Sequence, residues 1–149
     1  IPDLVRGYNI GRKPKLRSIS SVRPWQNVLD CLDGYLLLID QLIRVPESGI
    51  WNFGPEQKQV KTVMAVVELF EKAWGLENFW ELDSASKIRE EHSLLVDSSK
   101  ARKELFWSER YSFDENITRT SNWYKEVSNG KPASEALQEE IDYFEGILA

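Results

Sequence analysis

The run Arg23–Asp30, RPWQNVLD, decides how this sequence is interpreted, because it places an arginine and a proline directly before a helical pattern. Proline restricts the backbone of the residue that precedes it, so Arg23 is held in an extended conformation. A guanidinium can pair two phosphate oxygens at once. The run therefore predicts an anion-binding arginine at the start of a helix, with Arg17 six residues upstream as a second cation. From composition alone, an ordinary surface ion pair is the favoured role for Arg23.

A helical period begins at the end of this run and continues to about Arg44, and Pro46 stops it. Large apolar residues recur at steps of three and four, which is typical of one apolar face of a helix. These residues are Val28, Leu32, Tyr35, Leu36, Ile39, Leu42 and Ile43.

Outward from this helix, the sequence predicts further helices and short strands. The other predicted helices are Ile1–Tyr8, Val60–Trp74, Ser98 or Asp97 to Leu105, Ser112 or Asp114 to Val127, and Ala133–Ile147. The predicted strands are Lys15–Ser18, Ile50–Phe53, Phe79–Asp83 and Ser93–Asp97. The expected fold class is α+β, helix-rich with a few short strands, and we expect residues 1–149 to form a single domain.

Composition excludes several classes of protein. The 149 residues carry a net charge of −5, which argues against generic nucleic-acid binding. The single Cys31 excludes an intrachain disulfide and a multi-cysteine zinc site, so cytoplasm is the default location. No apolar run reaches the roughly 20 residues of a membrane-spanning helix, and we expect no membrane partner. The start at Ile1, without a methionine or a signal peptide, suggests a truncated amino end.

The residues of several common active sites are missing. No Gly-rich fingerprint for a dinucleotide and no phosphate-binding Gly-Lys-Ser/Thr loop occurs. His92 is the only histidine, so a Ser-His-Asp triad or a multi-histidine metal site lacks parts. Tyr124 and Lys125 are adjacent, not four apart as a Tyr-x-x-x-Lys pair requires. We expect neither catalytic residues nor a metal site.

Two further polar features are candidates for a cleft. The run Trp51–Pro55, WNFGP, alternates aromatic and amide positions before a Gly-Pro turn and directs Asn52 towards a cleft. The run Arg89–His92, REEH, offers carboxylates that can accept sugar hydroxyls. Considered singly, each is better explained as surface structure, with Asn52 on an edge strand and the acidic run as a solvated loop.

Taken in order, the motifs of nearly the whole chain resemble one family. They are Ile1-Pro2-Asp3, Arg6, Leu16-Arg17, Arg23–Gln26 with Val28-Leu29, Gly34–Leu37, Trp51–Pro55, Leu95-x-Asp97-x-Ser99-Lys100-Ala101, Leu105-x-Trp107 and Thr120-x-x-Trp123-Tyr124. They resemble the CDP-glucose 4,6-dehydratases of the extended short-chain dehydrogenase/reductase superfamily. Arg-Pro-Trp-Gln is the more specific motif of the set, and related sugar-nucleotide enzymes carry looser versions of Trp-Asn-Phe-Gly-Pro.

The resemblance implies a two-domain parent enzyme of which this chain is the carboxy-terminal substrate domain. An amino-terminal Rossmann domain, missing here, would hold NAD and the catalytic residues. The parent would be a cytoplasmic lyase of deoxysugar and O-antigen biosynthesis, and a homo-oligomer. It would oxidise the sugar at C4, eliminate water across C5 and C6, and return the hydride to C6. This chain alone would bind and orient CDP-glucose and would not be an enzyme.

The resemblance also implies substrate-binding residues. Arg23 and Arg17 would contact the diphosphate. The other implied positions are Ile1, Pro2 and Arg6 near the nucleotide, and Asn52 and Glu91 along the same cleft. The family usually has Asn-Pro where Ser18-Ile19 stand and His where Asn27 stands. An epimerase acting on another nucleotide-sugar, or a non-catalytic remnant or interaction module, therefore stays open.

Overall fold

The computed structural model describes residues 1–46, 49–83 and 95–148. The helices in these residues are α1 (Pro2–Asn9), α2 (Val28–Arg44), α3 (Val63–Trp74), α4 (Ser99–Glu104), α5 (Phe113–Ser128) and α6 (Ala133–Leu148). The strands are β1 (Lys15–Leu16), β2 (Val22–Arg23), β3 (Lys61–Thr62) and β4 (Glu81–Leu82). The predicted helix-rich α+β class is confirmed.

Side chains that cap backbone N–H groups set the starts of the long helices. Asn27 accepts a hydrogen bond from Leu29 N at 2.9 Å and begins α2. Thr62 and Ser112 do the same for α3 and α5, each accepting from the backbone N three residues on. Capping oxygens satisfy donors that the first turn of a helix leaves unpaired. Gly75 then ends α3 with φ +69°, a conformation that glycine adopts without strain.

The four strands form two separate pairs. Strand β1 runs parallel to β4, with Lys15 opposite Glu81 and Leu16 opposite Leu82. Strand β2 runs antiparallel to β3, with Val22 opposite Thr62 and Arg23 opposite Lys61. The second pair ties the run that opens α2 to the start of α3.

The main core lies where α3 packs against α5 and α1. Its buried residues are Leu4, Val5, Val66, Val67, Phe70, Trp74, Phe113 and Ile117. The Trp74 indole donates from Nε1 to Ser121 O at 2.9 Å, so its one polar atom is satisfied inside the core. A smaller cluster joins α4 to α2 through Ala101, Leu105 and Trp107.

The structure corrects two predicted elements and adds one pair. Residues 50–53 have irregular backbone, so the predicted strand Ile50–Phe53 is wrong for this chain. Helix α3 begins at Val63 and not at Val60, because Lys61–Thr62 pair with β2 instead. The pair β2–β3 was not predicted. Of the predicted strand Ser93–Asp97, residues 95–97 are irregular, and the rest lies outside the described residues.

Within residues 1–46, 49–83 and 95–148, no helix combines the length and the apolar character that crossing a membrane requires.

Candidate functional site

Two cations face the same side of the β2–β3 pair. Arg23 and Lys61 are direct partners in the antiparallel register. Side chains of directly opposite residues lie on one face, about 5 Å apart at Cβ, and like charges there repel. Arg23 also donates from Nη1 to Val22 O at 2.9 Å, and Lys61 is exposed. The pairing places two cationic residues opposite each other in the register. Lys61 was not predicted, because nothing in the sequence signals a two-residue pair.

The loop between β1 and β2 is fixed to the amino end of α3. Val63 N donates to Ser21 O at 3.0 Å, and Met64 N donates to Ile19 O at 2.9 Å. The hydroxyls of Ser18 and Ser21 are hydrogen-bonded to each other at 2.6 Å. These bonds give Arg17, which precedes the loop, and Arg23, which ends it, fixed starting points.

A groove of about 210 Å³ lies nearby, and Val60, the residue before Lys61, contributes to its lining. Its lining residues are Pro55, Gln57, Val60, Leu95, Val96 and Asp97. The Gly54 backbone anchors the turn beside it, because Gly54 N donates to Ser98 Oγ at 2.7 Å and Arg102 Nη2 donates to Gly54 O at 3.0 Å. The groove therefore has one wall from the turn after Asn52 and another from the segment before α4.

Asn52 contacts one of the residues that line this groove. Its Nδ2 donates to Asp97 O at 3.3 Å, and the side chain is exposed. Hydrogen bonds from the Ser99 backbone N–H and side chain hold the pKa of Asp97 below its ordinary value. Asp97 is therefore an ionised acceptor at neutral pH, suited to hydroxyl groups.

The three predicted residues at the amino end, Ile1, Pro2 and Arg6, are divided between core and surface. Ile1 packs against the core formed by α3 and α5, as do Leu16 and Trp25, so it lies beside the segment that carries Arg17 and Arg23. Pro2 is exposed. Arg6 is exposed and forms an ion pair with Asp3, three residues back on the same helix.

The contacts of the predicted residues thus differ. Ile1 packs on the same core as Leu16 and Trp25, and Asn52 contacts Asp97 of the groove. Glu91 lies outside the described residues.

A larger cleft of about 220 Å³ lies elsewhere, between the start of α2 and helices α5 and α6. Val28, Trp123 and Leu137 contribute to its largely apolar lining. The indole Nε1 of Trp123 is buried and has no hydrogen-bond acceptor among the described residues. Of the predicted site residues that the structure describes, none lines this cleft.

The architecture defined by these helices and strands is that of the carboxy-terminal part of extended short-chain dehydrogenase/reductase dehydratases and epimerases. A dTDP-glucose 4,6-dehydratase from Bacillus anthracis, solved in complex with NAD, superimposes with a TM-score of 0.68 at 23% identity. The superposition covers 87% of this chain and 40% of that one. A UDP-glucose 4-epimerase superimposes with a TM-score of 0.73 at 21% identity, over 87% of this chain and 42% of that one.

Among sequences, the chain is similar to the CDP-glucose 4,6-dehydratase of Salmonella typhimurium, with 34% identity over 146 residues. The match covers 96% of this chain and 41% of the relative. UDP-glucose 4-epimerase 3 of Oryza sativa is 25% identical over 134 residues, 84% of this chain and 36% of the relative. No family model matches the chain. The predicted resemblance is confirmed, and the chain spans about two fifths of the length of these relatives.

Proposed function

We propose that this chain is the substrate-binding part of a CDP-glucose 4,6-dehydratase-like enzyme and that it binds and orients the nucleotide-sugar. The observation that carries the proposal is the match to the Salmonella relative over nearly the whole chain. A binding domain that orients the substrate against a cofactor accelerates the reaction without contributing a catalytic group.

Cationic and polar residues in two places are suited to a nucleoside-diphosphate sugar. The diphosphate would be neutralised by Arg23, by Lys61 opposite it, and by Arg17 at the other end of the loop between β1 and β2. Ribose or sugar hydroxyls would hydrogen-bond to Asn52 and Asp97 at the groove. Ile1, Pro2 and Arg6 would flank the nucleotide, and Glu91 would complete the cleft.

The cofactor of the parent enzyme would be NAD, which supplies hydride transfer when bound. The sequence of this chain contains no glycine-rich dinucleotide cradle, so its residues do not fit NAD. No redox step is therefore assigned to them. Converting CDP-glucose to CDP-4-keto-6-deoxyglucose would also require the part of the relatives that lies outside the region matched by this chain.

Titration of the chain with CDP-glucose by calorimetry tests the proposal. Arg23→Ala should weaken binding tenfold or more, since a hydrogen bond to a charged group contributes roughly 1.5–3 kcal/mol. Arg44→Ala is the matched control, because Arg44 forms an exposed pair with Asp40 near the end of α2. Equal affinities for the wild type and Arg23→Ala would remove Arg23 from the site.

The main alternative is the substrate domain of a nucleotide-sugar epimerase. It is favoured by the matches to UDP-glucose 4-epimerases in both sequence and fold. Parallel titrations with CDP-glucose and UDP-glucose separate the two, since a preference for UDP-glucose would support the epimerase. Binding of neither by the folded chain would favour a non-catalytic remnant or an interaction module.

A further inference from the structure

The positive charge of the chain is concentrated at its amino end. Residues 1–23 contain six of the 19 Lys and Arg residues and only one of the 24 Asp and Glu residues. Their side chains carry a net charge of +5 in a chain whose net charge is −5, so the remaining residues carry −10. The chain is therefore divided into a basic amino-terminal segment, which includes Arg17 and Arg23, and an acidic remainder.

Two cations of the basic segment are not compensated by a neighbouring carboxylate. Arg12 and Lys13 lie in the turn between α1 and β1, and both side chains are exposed. By contrast, Arg6 has an ion-pair partner on its own helix, and Lys15 stands opposite Glu81. Within the part of the chain that the structure describes, neither Arg12 nor Lys13 forms an ion pair.

The backbone of this turn is packed closely between α1 and β4. Arg12 N donates to Gly7 O at 2.8 Å, and Glu81 N donates to Pro14 O at 2.9 Å. A Cβ atom at Gly7 would lie 2.5 Å from Arg12 O and 3.0 Å from Pro14 Cδ, so the close approach requires glycine. The two cations therefore extend from a backbone that is fixed on both sides.

The turn also lies near the first cation proposed for the diphosphate. An extended chain spans at most about 3.6 Å per residue, so the Cα atoms of Lys13 and Arg17 are at most about 14 Å apart, and those of Arg12 and Arg17 at most about 18 Å. The Debye length is about 30 Å at 0.01 M salt and about 8 Å at physiological ionic strength. At low salt, an anion that approaches Arg17 is within the field of both cations.

We infer that Arg12 and Lys13 form a steering surface, which attracts the diphosphate of a nucleotide-sugar towards Arg17 and Arg23 and does not contact it in the bound state. The inference rests on the proposed function. Charge of one sign beside a binding site raises the association rate of a ligand of the opposite sign. The acidic remainder of the chain repels the same ligand and so strengthens the bias towards the basic segment.

The extent of the basic segment argues against a nucleic acid as the ligand. Binding to nucleic acid at physiological salt depends on several phosphate contacts along a basic face. The steering surface offers two cations, and the remainder of the chain, at −10, would repel a long polyanion. A small ligand whose charge is confined to its diphosphate fits this distribution better.

Stopped-flow mixing with CDP-glucose tests the inference, with tryptophan fluorescence as the signal because Trp25 is two residues from Arg23. Arg12→Gln with Lys13→Gln should lower the association rate constant about threefold at about 20 mM salt and leave it nearly unchanged at about 0.5 M salt. The dissociation rate constant should not change. Arg12→Lys with Lys13→Arg retains both charges and should associate like the wild type.

The matched control removes two charges from the acidic remainder. Arg44→Gln with Lys103→Gln changes exposed cations on α2 and α4 and should lower the association rate constant by less than about 1.5-fold at low salt. Equal association rate constants for the wild type and the Arg12→Gln, Lys13→Gln variant would overturn the inference, and so would an equal loss in the control. Faster dissociation from that variant would also overturn it, because the two residues would then be direct contacts.

Further outcomes separate the inference from the proposed function. UDP-glucose carries the same diphosphate, so binding of UDP-glucose alone, with the same response to the Arg12→Gln, Lys13→Gln variant, would support steering and remove CDP-glucose as the substrate. Absence of binding to either nucleotide-sugar in calorimetry would overturn the inference and the proposed function together. Binding of a single-stranded oligonucleotide that the variant abolishes would assign the turn to nucleic acid instead and overturn the inference alone.

Discussion

Helices α3 and α2 have equally clear apolar faces, but only α3 buries its face in this chain. Val66, Val67, Phe70 and Trp74 of α3 are all buried in the core. The residues of α2 that are buried are Asp30 and Gly34, and seven of its large apolar side chains, between Val28 and Ile43, are exposed. The difference teaches that a periodic apolar pattern predicts a covered face and does not tell whether the cover belongs to the same polypeptide.

The two helices are also held in place by different interactions. Helix α3 is anchored by apolar packing against α5. Helix α2 packs through Leu37 and Leu38 on the smaller cluster and is also held by polar contacts near its start. Asp30 Oδ1 accepts from Arg110 N at 2.7 Å, Asp30 O accepts from Trp107 Nε1 at 3.0 Å, and Asn27 donates to Asn116 Oδ1 at 3.2 Å. These polar contacts position the start of α2 without using its exposed apolar side chains.

The largest expected difference between the helices comes from truncating one apolar residue on each. Phe70→Ala should lower the free energy of unfolding by about 3–5 kcal/mol, because Phe70 is fully buried. Ile39→Ala should change it by less than about 0.5 kcal/mol, because Ile39 is half exposed on α2. Urea denaturation of both variants provides the measurement. A comparable loss in Ile39→Ala would show that the apolar face of α2 is covered within this chain.

The next effect concerns the polar anchor of α2 and depends on pH. Burial raises the pKa of Asp30 to about 6, although the N–H groups of Arg110 and Tyr111 counteract part of the shift. The folded protein therefore retains a proton, between about pH 4 and pH 6, that the unfolded chain releases. Stability should fall as pH rises through this window, by up to about 2 kcal/mol, and level off above it.

Asp30→Asn is the control for this pH dependence, since its amide oxygen can still accept from Arg110 N and does not titrate. The difference in unfolding free energy between wild type and Asp30→Asn should shift in favour of the variant as pH rises from about 4 to 6. A constant difference across that range would show that Asp30 is not the titrating group.

A smaller change in stability is expected from substitutions at the start of α3. Thr62→Ala removes the oxygen that accepts from Ala65 N at 3.2 Å and should cost about 1 kcal/mol, measured by thermal unfolding. Thr62→Ser retains the cap and should cost much less. If both variants lose the same stability, the Thr62 methyl, and not the cap, is what matters.

The smallest expected effect distinguishes two helix ends of similar geometry. Gly75 after α3 has φ +69°, and Phe106 after α4 has φ +54° with its side chain 86% exposed. A left-handed conformation costs a non-glycine residue about 1–2 kcal/mol, part of which glycine loses again through chain entropy. Phe106→Gly should therefore stabilise the chain by about 0.5 kcal/mol, and Gly75→Ala should destabilise it. A lower Tm for Phe106→Gly would mean that its side chain makes a stabilising contact.

The sequence was sufficient to predict the long helices, because α2, α3, α5 and α6 repeat apolar residues over several turns. It was insufficient where structure depends on pairing across the chain. The β2–β3 pair has two residues on each side and no period to detect. Residues 50–53 have strand-forming side chains, but a strand also needs a neighbour to hydrogen-bond with.

The candidate site was predictable to the same extent. Arg23 and Asn52 could be singled out because a proline or a Gly-Pro turn fixes the backbone beside each. Lys61 could not, since its importance comes only from lying opposite Arg23. The groove wall at Asp97 could likewise not be predicted from the sequence, because it forms by contact between segments that are far apart in sequence.

The parallel pair β1–β4 has a consequence for how the chain folds. Its two strands are separated by α2 and α3, so the pair can close only after most of the chain has been made compact. Helices α5 and α6 are neighbours in sequence and in space and can pack early. Contacts between distant segments form slowly, because the entropy of closing the loop is lost before the contact repays it. Strand β1, and with it the start of the loop between β1 and β2, would thus be among the last parts of the molecule to reach its final position.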